Sequence, residues 1–256
     1  MLTPERKPFH IPTERGRVGR YCILPGAPER VPLIASMLDR PEHIGTNREF
    51  TVWNGWLGET LVTVCSTGIG GPSAAIAAEE LADCGADTMI RVGTCGGIAL
   101  PVRSGDVVIA SGAVRQDGTS HEYAPPEFPA VADARVLMAL VRAAEAERLS
   151  FHVGVVQSKD SFYGQHSPDR MPVASALHEK WEAWRRLGVL ASEMEAAALF
   201  TVGASRGLRM GAVFHVIWNQ ERAAAGLDTD AQESHDTAHA VRTAVAAVRL
   251  LAQADG

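Results

Sequence analysis

The chain has 256 residues, 46% of them hydrophobic, which is enough for one substantial core. A net charge of −6 disfavours a nucleic-acid or anionic membrane surface, and no apolar run approaches the roughly 20 residues of a membrane span. The polar N-terminus lacks the apolar segment of a signal peptide. Four dispersed cysteines suit reduced thiols, so we expect a cytoplasmic protein.

Short apolar runs alternate with helical patterns along the chain. This alternation predicts an α/β fold with a largely buried mixed or parallel sheet, formed by a single domain over residues 1–256. In chain order the predicted elements are strand 21–25, helix 28–38, strand 60–66, helix 72–85, strands 88–93 and 106–110, helix 133–149, strand 153–158, helices 175–188 and 192–207, strand 211–217 and a helix from about 230.

Glycine-rich turns follow three of the predicted strands, at 25–30 (PGAPER), 66–73 (STGIGGPS) and 93–97 (GTCGG). Ligands bind at the carboxyl ends of strands in open α/β sheets, and glycine lets the backbone approach an anion closely. None of the turns fits a dinucleotide or P-loop pattern. Taken one at a time, each is equally well explained as a tight strand–helix connection.

Arginines accompany these turns. Arg30 follows the first turn, Arg91 precedes the third, and Arg48 lies between them in TNREF. Each alone is typical of a surface or ion-paired side chain. Converging guanidinium groups together with backbone N–H donors would form a bidentate anion clamp, and phosphate is the ligand that this geometry favours.

The segment ASEMEAAAL (191–199) has two interpretations. Ser192 and Glu195 have the spacing of a capping box at a helix start. Alternatively, the Glu195 carboxylate lies at the mouth of a pocket and accepts hydrogen bonds from a vicinal diol. The spacing alone does not choose between them.

The motifs occur together in the order seen in the nucleoside phosphorylase family. They are PGAPERV, NREFTVW, VCSTGIGGPSAAIAAEEL, RVGTCGGI, GDVVIASGAVRQDG, FPAVAD, DSFYGQ and EMEAAAL. Over nearly the whole chain the sequence most resembles the bacterial uridine phosphorylases of this family. The resemblance implies a three-layer α/β/α fold with a mixed central sheet, assembled as a hexamer from three dimers. It also implies phosphorolysis of a pyrimidine nucleoside, with inorganic phosphate as co-substrate and no required cofactor.

The resemblance assigns roles to individual positions, and among them Arg91, Thr94 and Glu195 are expected to carry catalysis. The implied phosphate-binding residues are Gly26, Arg30, Arg91 and Thr94, with Arg48 supplied by the neighbouring subunit. The implied ribose-binding residues are Glu193, Met194 and Glu195, with His10 reaching across the dimer. The implied base-binding residues are Phe162, Gln165 and Ile217. Some relatives hold a structural potassium ion at the positions matching Glu49, Ile69 and Ser73.

The base site departs from the family pattern. Ser167 stands where the uridine-specific pattern has an arginine, and Gln220 replaces a second arginine. Arg170, His166 or Arg222 could substitute for them. Trp218 replaces a small aliphatic residue and would favour one ring over two. The alternatives are a purine nucleoside phosphorylase, whose relatives carry an aspartate after the strand matching FHVIWN, and a nucleoside-binding protein without activity.

Overall fold

The computed structural model describes residues 7–228 and 233–256 of the chain. Within them the strands are β1 Tyr21–Pro25, β2 Asp39–Asn47, β3 Phe50–Leu57, β4 Thr60–Cys65, β5 Thr88–Gly97, β6 Val107–Gln116, β7 Ala130–Val131, β8 Phe151–Lys159, β9 Ala191–Glu193 and β10 Arg209–Asn219. The α-helices are α1 Arg30–Ala35, α2 Gly71–Asp83, α3 Thr119–Tyr123, α4 Ala134–Ala146, α5 Phe162–His166, α6 Ala174–Arg186, α7 Ala196–Arg206, α8 Gln220–Ala224 and α9 Ala238–Asp255.

All of these strands belong to one mixed sheet. Parallel pairs join β1 to β4 and β5, β5 to β10, β6 to β8 and β8 to β9, while β10–β6, β5–β9 and the β2–β3–β4 meander are antiparallel. The pairings β5–β10–β6–β8–β9–β5 form a closed circuit. The closed part brings the ends of strands that are distant in sequence around one opening.

Helices cover both faces of the sheet, which confirms the predicted three-layer α/β/α arrangement. On one face α2 and α7 pack over buried side chains that include Leu81 and Phe200. On the other face α1, α4 and α9 pack over a second cluster that includes Ile90 and Leu140. Burial of these two apolar layers is the main stabilising contribution to such a fold.

The predicted strands and helices are present in the described residues, with differences at their ends. The segment 93–97, expected as a glycine-rich turn, is the end of β5. The helix expected from about 230 begins at Ala238, and residues 229–232 lie outside the described part. The helix expected over 28–38 is shorter, at Arg30–Ala35, and the one expected over 192–207 starts at Ala196. The later start at Ala196 arises because Ala191–Glu193 pairs with β5 and β8 as a strand. The β2–β3 hairpin is not expected from the sequence, since β2 is mostly exposed and lacks a period-two apolar pattern.

The described part of the chain contains no helix whose length and apolarity would suit a membrane crossing. Its four cysteines are all buried free thiols, in agreement with the expectation of reduced side chains.

Candidate active site

A cavity of about 920 Å³ lies at the ends of β1, β5, β8, β9 and β10. It brings together most of the residues predicted from the sequence. Those that line it are Gly26, Arg30, Glu49, Ile69, Arg91, Thr94, Phe162, Gln165, Glu193, Met194, Glu195 and Ile217. The groups predicted to bind phosphate, ribose and base therefore face the same space.

Arg91 extends from the middle of β5 and is only 5% exposed. Its Nη1 donates to Thr67 Oγ1 at 3.1 Å and to the Leu24 carbonyl at 3.3 Å. A Cβ on Gly26 would lie 3.1 Å from Arg91 Nη2, so glycine there lets the first turn pack against the guanidinium group. Nε of Arg91 is buried and has no hydrogen-bond partner among the described residues.

Arg30 brings a second positive charge to the same end of the cavity. Burial, and next the nearby charge of Arg91, lower the pKa of its guanidinium group. Within residues 7–228 and 233–256, no carboxylate lies within ion-pair distance of Arg30. Two neighbouring cations with incomplete pairing favour binding of an anion between them.

The Glu195 carboxylate connects this cationic end to the rest of the cavity. Its Oε2 accepts from Arg91 Nη2 at 2.8 Å, and its Oε1 accepts from the backbone N–H of Gly70 at 2.7 Å. Both side chains of the ion pair are about 95% buried. Glu195 therefore links the second glycine turn to Arg91, and its remaining lone pairs can accept hydrogen bonds from a bound diol.

The capping-box interpretation of 191–199 is wrong. Ser192 belongs to β9, and the Glu195 side chain makes no cap at the start of α7. Glu193 satisfies the first helical N–H groups instead, since its Oε2 accepts from Glu195 N at 2.8 Å and Ala196 N at 2.9 Å. Ser158 Oγ donates to its other oxygen. Burial, and then the charge of Glu195, raise the pKa of Glu193.

The opposite end of the cavity is lined by groups suited to a planar base. Phe162, on the helix that follows β8, is half-exposed and flanks the opening. Gln165 lies next to Ser192, with 2.6 Å between the amide Oε1 and the hydroxyl Oγ. Ile217 and Trp218 contribute apolar surface from the end of β10.

Sequence reasoning missed Lys159, the last residue of β8. Its side chain lines the base end, is 5% exposed, and donates from Nζ to Ser192 Oγ at 2.7 Å. Burial lowers the pKa of Lys159 to about 8, and the charges of Glu193 and Glu195 oppose this shift. A lysine ending an apolar strand beside DSFYGQ is the available signal, although surface lysines commonly end strands too.

Two of the three expected substitutes for the missing arginines do not line the cavity. Arg222 pairs with Asp228 through two contacts of 2.6 and 2.8 Å, and Arg170 is exposed on a short 3₁₀ helix. His166 does line the cavity, and desolvation, followed by the nearby charge of Lys159, lowers its pKa and so disfavours its charged form. Lys159 is therefore the cation at the base end.

Three predicted residues lie away from this cavity in the single chain. His10 lines a separate cavity of about 600 Å³ and its Nδ1 lies 2.8 Å from Glu80 Oε1. Arg48 is exposed in the β2–β3 turn, and Ser73 lies in the first turn of α2. The expected roles of His10 and Arg48 require a second subunit, so they stay predictions.

The residues expected to hold potassium lie close together. A Cβ on Gly68 would lie 2.9 Å from the Glu49 side chain and 3.3 Å from Ser73 Oγ, and Ser73 Oγ donates to the Ile69 carbonyl at 3.1 Å. Carboxylate, carbonyl and hydroxyl oxygens are the donors that a hard monovalent or divalent cation prefers. The residues present therefore fit the expected ion.

Comparisons with known proteins agree with this geometry. The family model described as "Phosphorylase superfamily" matches residues 20–253. A "Uridine phosphorylase" of Treponema pallidum is 53% identical over 96% of this chain and 95% of its own length. One from Escherichia coli is 45% identical over 90% of this chain and 91% of its length. A "Guanosine phosphorylase" of Halorubrum lacusprofundi is 41% identical over 82% of this chain and 83% of its length.

The family match extends over nearly all of the sheet and its covering helices, and the cavity holds the residues that the motifs predicted. This chain belongs to the phosphorylase superfamily.

Proposed function

We propose that this chain is a uridine phosphorylase, a pentosyltransferase that converts uridine and phosphate into uracil and ribose 1-phosphate in nucleoside salvage or catabolism. The observation that carries the proposal is the buried pair between Arg91 and Glu195, with 2.8 Å between Nη2 and Oε2. It joins an anion-binding end of the cavity to a carboxylate suited to a ribose diol. Relatives named as uridine phosphorylases, at 45–53% identity over most of the chain, support the choice of substrate.

The reaction follows from this arrangement. Arg30, Arg91, Thr94 and the first glycine turn hold phosphate beside C1′, which supplies proximity and orientation. Glu195 anchors the 2′- and 3′-hydroxyls, and Met194 packs against the sugar. As the glycosidic bond opens, C1′ becomes oxocarbenium-like, much as in glycoside hydrolysis, and phosphate is the incoming group. The base leaves with the bonding electron pair, so hydrogen-bond donors at its carbonyl groups stabilise the transition state.

Phosphorolysis can be tested directly by incubating the protein with uridine, thymidine, inosine, adenosine and methylthioadenosine, each with and without phosphate. We expect rapid, phosphate-dependent release of uracil from uridine. Release of base without phosphate would indicate a hydrolase, and faster cleavage of inosine than of uridine would contradict the substrate assignment. A protein that binds uridine but releases no base would support the nucleoside-binding alternative.

Purine cleavage is the second candidate, because one relative is named as a guanosine phosphorylase. The sequence at the end of β10 disfavours purine cleavage. The residue that follows β10 is Gln220, whose amide lies 3.5 Å from that of Gln165 and has no acidic proton to give. No acid is available at this position to protonate a leaving purine, and general acid catalysis typically contributes about 10²–10⁴-fold.

The active form is proposed to be a homo-oligomer, a hexamer built from three dimers with shared sites. The lone chain supports this because His10 faces a different cavity from Glu195. Mixing a His10→Ala variant with a Glu195→Ala variant and allowing subunits to exchange should restore activity, since each mixed dimer then has one complete site. Proven exchange without recovered activity would contradict shared sites.

A potassium ion is proposed at the dimer interface, held by the oxygens of Glu49, Ile69 and Ser73. Such an ion would supply positive charge that fixes the second glycine turn, from which Gly70 contacts Glu195. The buried free thiols support a cytoplasmic location, where cysteines stay reduced.

A further inference from the structure

A chain of hydrogen bonds runs behind the base end of the cavity and ends on Lys159. Its members belong to β6, β8, β9, α5 and α6, and only Gln165 among them is a base-site residue expected from the sequence. They are Trp184, Gln116, Gln157, Ser192, Gln165 and Lys159.

In the first half of this hydrogen-bond chain, from Trp184 to Ser192, the direction of every hydrogen bond is fixed. An indole N–H can only donate, so Trp184 Nε1, at 3.1 Å, requires the oxygen of Gln116 to face it. The same oxygen accepts from Gln157 Nε2 at 2.8 Å. Gln157 must therefore present its own oxygen to Ser192, at 2.6 Å from the hydroxyl.

The second half follows from the single hydrogen of Ser192. That hydrogen is donated to Gln157, and Lys159 Nζ, which can only donate, occupies one lone pair of the hydroxyl at 2.7 Å. The Gln165 amide, whose Oε1 is placed 2.6 Å from Ser192 Oγ, is left with the second lone pair, so this amide must be rotated by 180° to turn its NH₂ group toward the hydroxyl. Heavy-atom positions alone do not distinguish the two ends of an amide, whereas these donors do.

This assignment gives the base end a definite polarity. After this rotation Gln165 presents N–H donors on the side of Ser192 and Lys159 and its oxygen acceptor on the side of Gln220. The Gln220 amide, 3.5 Å away, rotates in the same way so that its NH₂ group faces that oxygen. Among the described residues, Ser192 Oγ is the hydrogen-bond acceptor of Lys159, which leaves two of the three ammonium hydrogens for a ligand. The Phe162 ring, 5.9 Å from Nζ, bounds this position.

We propose, on the basis of the uridine phosphorolysis proposed above, that Lys159 donates a hydrogen bond to a carbonyl oxygen of the bound base, and that the Trp184-anchored chain orients Gln165 to recognise the neighbouring ring N–H. The ligand class is a base with a lactam edge, which means a carbonyl group beside an N–H. Uracil presents this edge on either side of N3. Lys159 thus takes the place of the arginine that is absent at Ser167.

The chemistry of the reaction requires a donor at this place. When the C1′–N1 bond breaks, its electron pair moves onto the base while a phosphate oxygen forms the new bond to C1′. The negative charge spreads to the carbonyl oxygens, where the Lys159 ammonium group stabilises it, and water protonates the released base. Cytosine does not fit in either orientation. If its carbonyl group accepts from Lys159, its N3, which is an acceptor, faces the Gln165 oxygen. If the base is turned over, its amino group faces the Lys159 ammonium group.

The first test replaces the cation by a side chain of similar length, Lys159→Met, with Lys180→Met as the matched control on the exposed face of α6. Removal of one donor to a developing anion costs about 10²-fold, so we expect kcat/KM for uridine to fall on that scale while the KM for phosphate is unchanged. 5-Fluorouridine carries a more acidic base that leaves more readily. Its kcat/KM should therefore fall clearly less than that of uridine, and Lys180→Met should affect neither.

Equal losses for uridine and 5-fluorouridine, or no loss, would overturn the role of Lys159. If Lys159→Met does not fold, the pair Lys159→Arg and Lys159→Gln decides the question. The arginine retains a cation that can only donate, and should keep the uridine to 5-fluorouridine ratio close to that of the unsubstituted protein. The glutamine should lower this ratio, and equal ratios for the two variants would contradict the proposal.

The second test addresses the orientation of Gln165 through Trp184→Phe, with Trp181→Phe as the matched control. The Trp181 indole donates to Glu221 at 2.7 Å and takes no part in this series of hydrogen bonds. Loss of the Trp184 donor lets Gln116 reverse, so the preference for uridine over cytidine should fall about tenfold, the scale of one misdirected buried hydrogen bond. An unchanged preference, or an equal change in Trp181→Phe, would overturn the orienting role. If the unsubstituted protein cleaves no nucleoside, the proposed function fails instead.

Discussion

The phosphate end and the base end of the cavity differ in how their polar groups are held. At the phosphate end, Arg91 is fixed within a strand by the backbone of β1, by Thr67 and by the Glu195 carboxylate. At the base end, Gln165 and Lys159 depend on Ser192, which depends in turn on Gln157 and the side chains behind it.

This difference determines how each end tolerates change. Arg91 contacts its three partners directly, and one of them is a backbone carbonyl, so no intermediate side chain is needed to position it. The base end relies on a sequence of side chains, and a substitution several residues away can reverse an amide there. A donor at the phosphate end acts by its charge, whereas a donor at the base end also carries the information about which edge of a base is accepted.

The largest effect is expected from Arg91→Ala. Removing a charge-assisted bidentate donor should cost about 2–4 kcal/mol of transition-state binding, which is about 30- to 900-fold in kcat/KM for phosphate. The loss of the partner also leaves Glu195 buried without its cation. Steady-state kinetics with varied phosphate would measure the effect.

Arg91→Lys is the control for charge alone. Lysine keeps one positive charge but not the planar fork that reaches Leu24, Thr67 and Glu195 together, so it should recover only part of the activity. A circular dichroism spectrum and melting temperature near those of the unsubstituted protein establish that the fold is intact. Turnover near the original value at saturating phosphate would contradict the phosphate assignment.

A smaller effect is expected at the base end when pH rises. Lys159 has a pKa of about 8 because burial disfavours its charged form, so the cation is present below that pH and is lost above it. We expect kcat/KM for uridine to fall about tenfold per pH unit beyond this point. The groups facing Lys159 are Glu193, Glu195, Cys95 and His166. Burial raises the pKa of the Cys95 thiol far above this range, and His166 has a lowered pKa.

Lys159→Arg distinguishes the titration of Lys159 from that of uridine and phosphate. The substrates ionise at the same pH in assays of both proteins, so a difference between the two pH profiles comes from the enzyme. The guanidinium group stays protonated, so the alkaline fall attributable to the enzyme should move to higher pH. Initial rates at limiting uridine from pH 6 to pH 10 would show the shift. Superimposable profiles for the two proteins would mean that another group causes the alkaline fall.

The sequence predicts the phosphate end better than the base end for a physical reason. Gly26 and Arg30 follow β1 directly, and Arg91 and Thr94 lie in the apolar, glycine-ended strand β5, so the local sequence pattern also predicts where these residues lie in the sheet. Lys159 and Ser192 acquire their roles by burial and by pairing across β8 and β9, which no local pattern encodes. The β2–β3 hairpin escapes prediction for a related reason, since its exposed strand has no apolar alternation.

The segment around Glu195 shows why the spacing of residues in one motif does not by itself predict the role of a side chain. Spacing allows a capping box or a ribose ligand, and the structure excludes the first because Ser192 is held in β9 and Glu193 caps α7. The choice depends on where a strand ends. A three-residue strand has too few positions to show its period in the sequence.

Trp218 offers a test of size at the base end. It lines both the main cavity and a neighbouring cavity of about 670 Å³, and its Nε1 is buried without a hydrogen-bond partner among the described residues. Trp218→Leu removes a ring that narrows the base site, so the ratio of kcat/KM for inosine to that for uridine should rise by up to about tenfold. Both substrates should be assayed on the same preparation. An unchanged or lower ratio would mean that Trp218 does not restrict the base.

The smallest effect on activity is expected far from both ends, at Asp255 on the last helix. Its carboxylate accepts from Arg209 Nη2 at 2.6 Å and from the Tyr21 hydroxyl at 2.7 Å, which ties α9 to β1 and β10. The bond from Arg209, and then that from Tyr21, lower the pKa of Asp255 to about 2. Asp255→Asn should reduce the free energy of unfolding by about 1 kcal/mol at neutral pH and leave kcat/KM unchanged.

The pH dependence of the stabilisation by Asp255 provides a second test of this prediction. Because the folded-state pKa is below the ordinary value of 3.8, the stabilisation is complete above pH 3.8 and disappears as the pH falls toward 2. The melting temperatures of Asp255→Asn and the unsubstituted protein should therefore converge in acid, whereas Glu59→Gln, at an exposed turn, should match the unsubstituted protein throughout. A difference that persists undiminished at pH 2 would show that Asp255 stabilises the helix by packing and not by its charge.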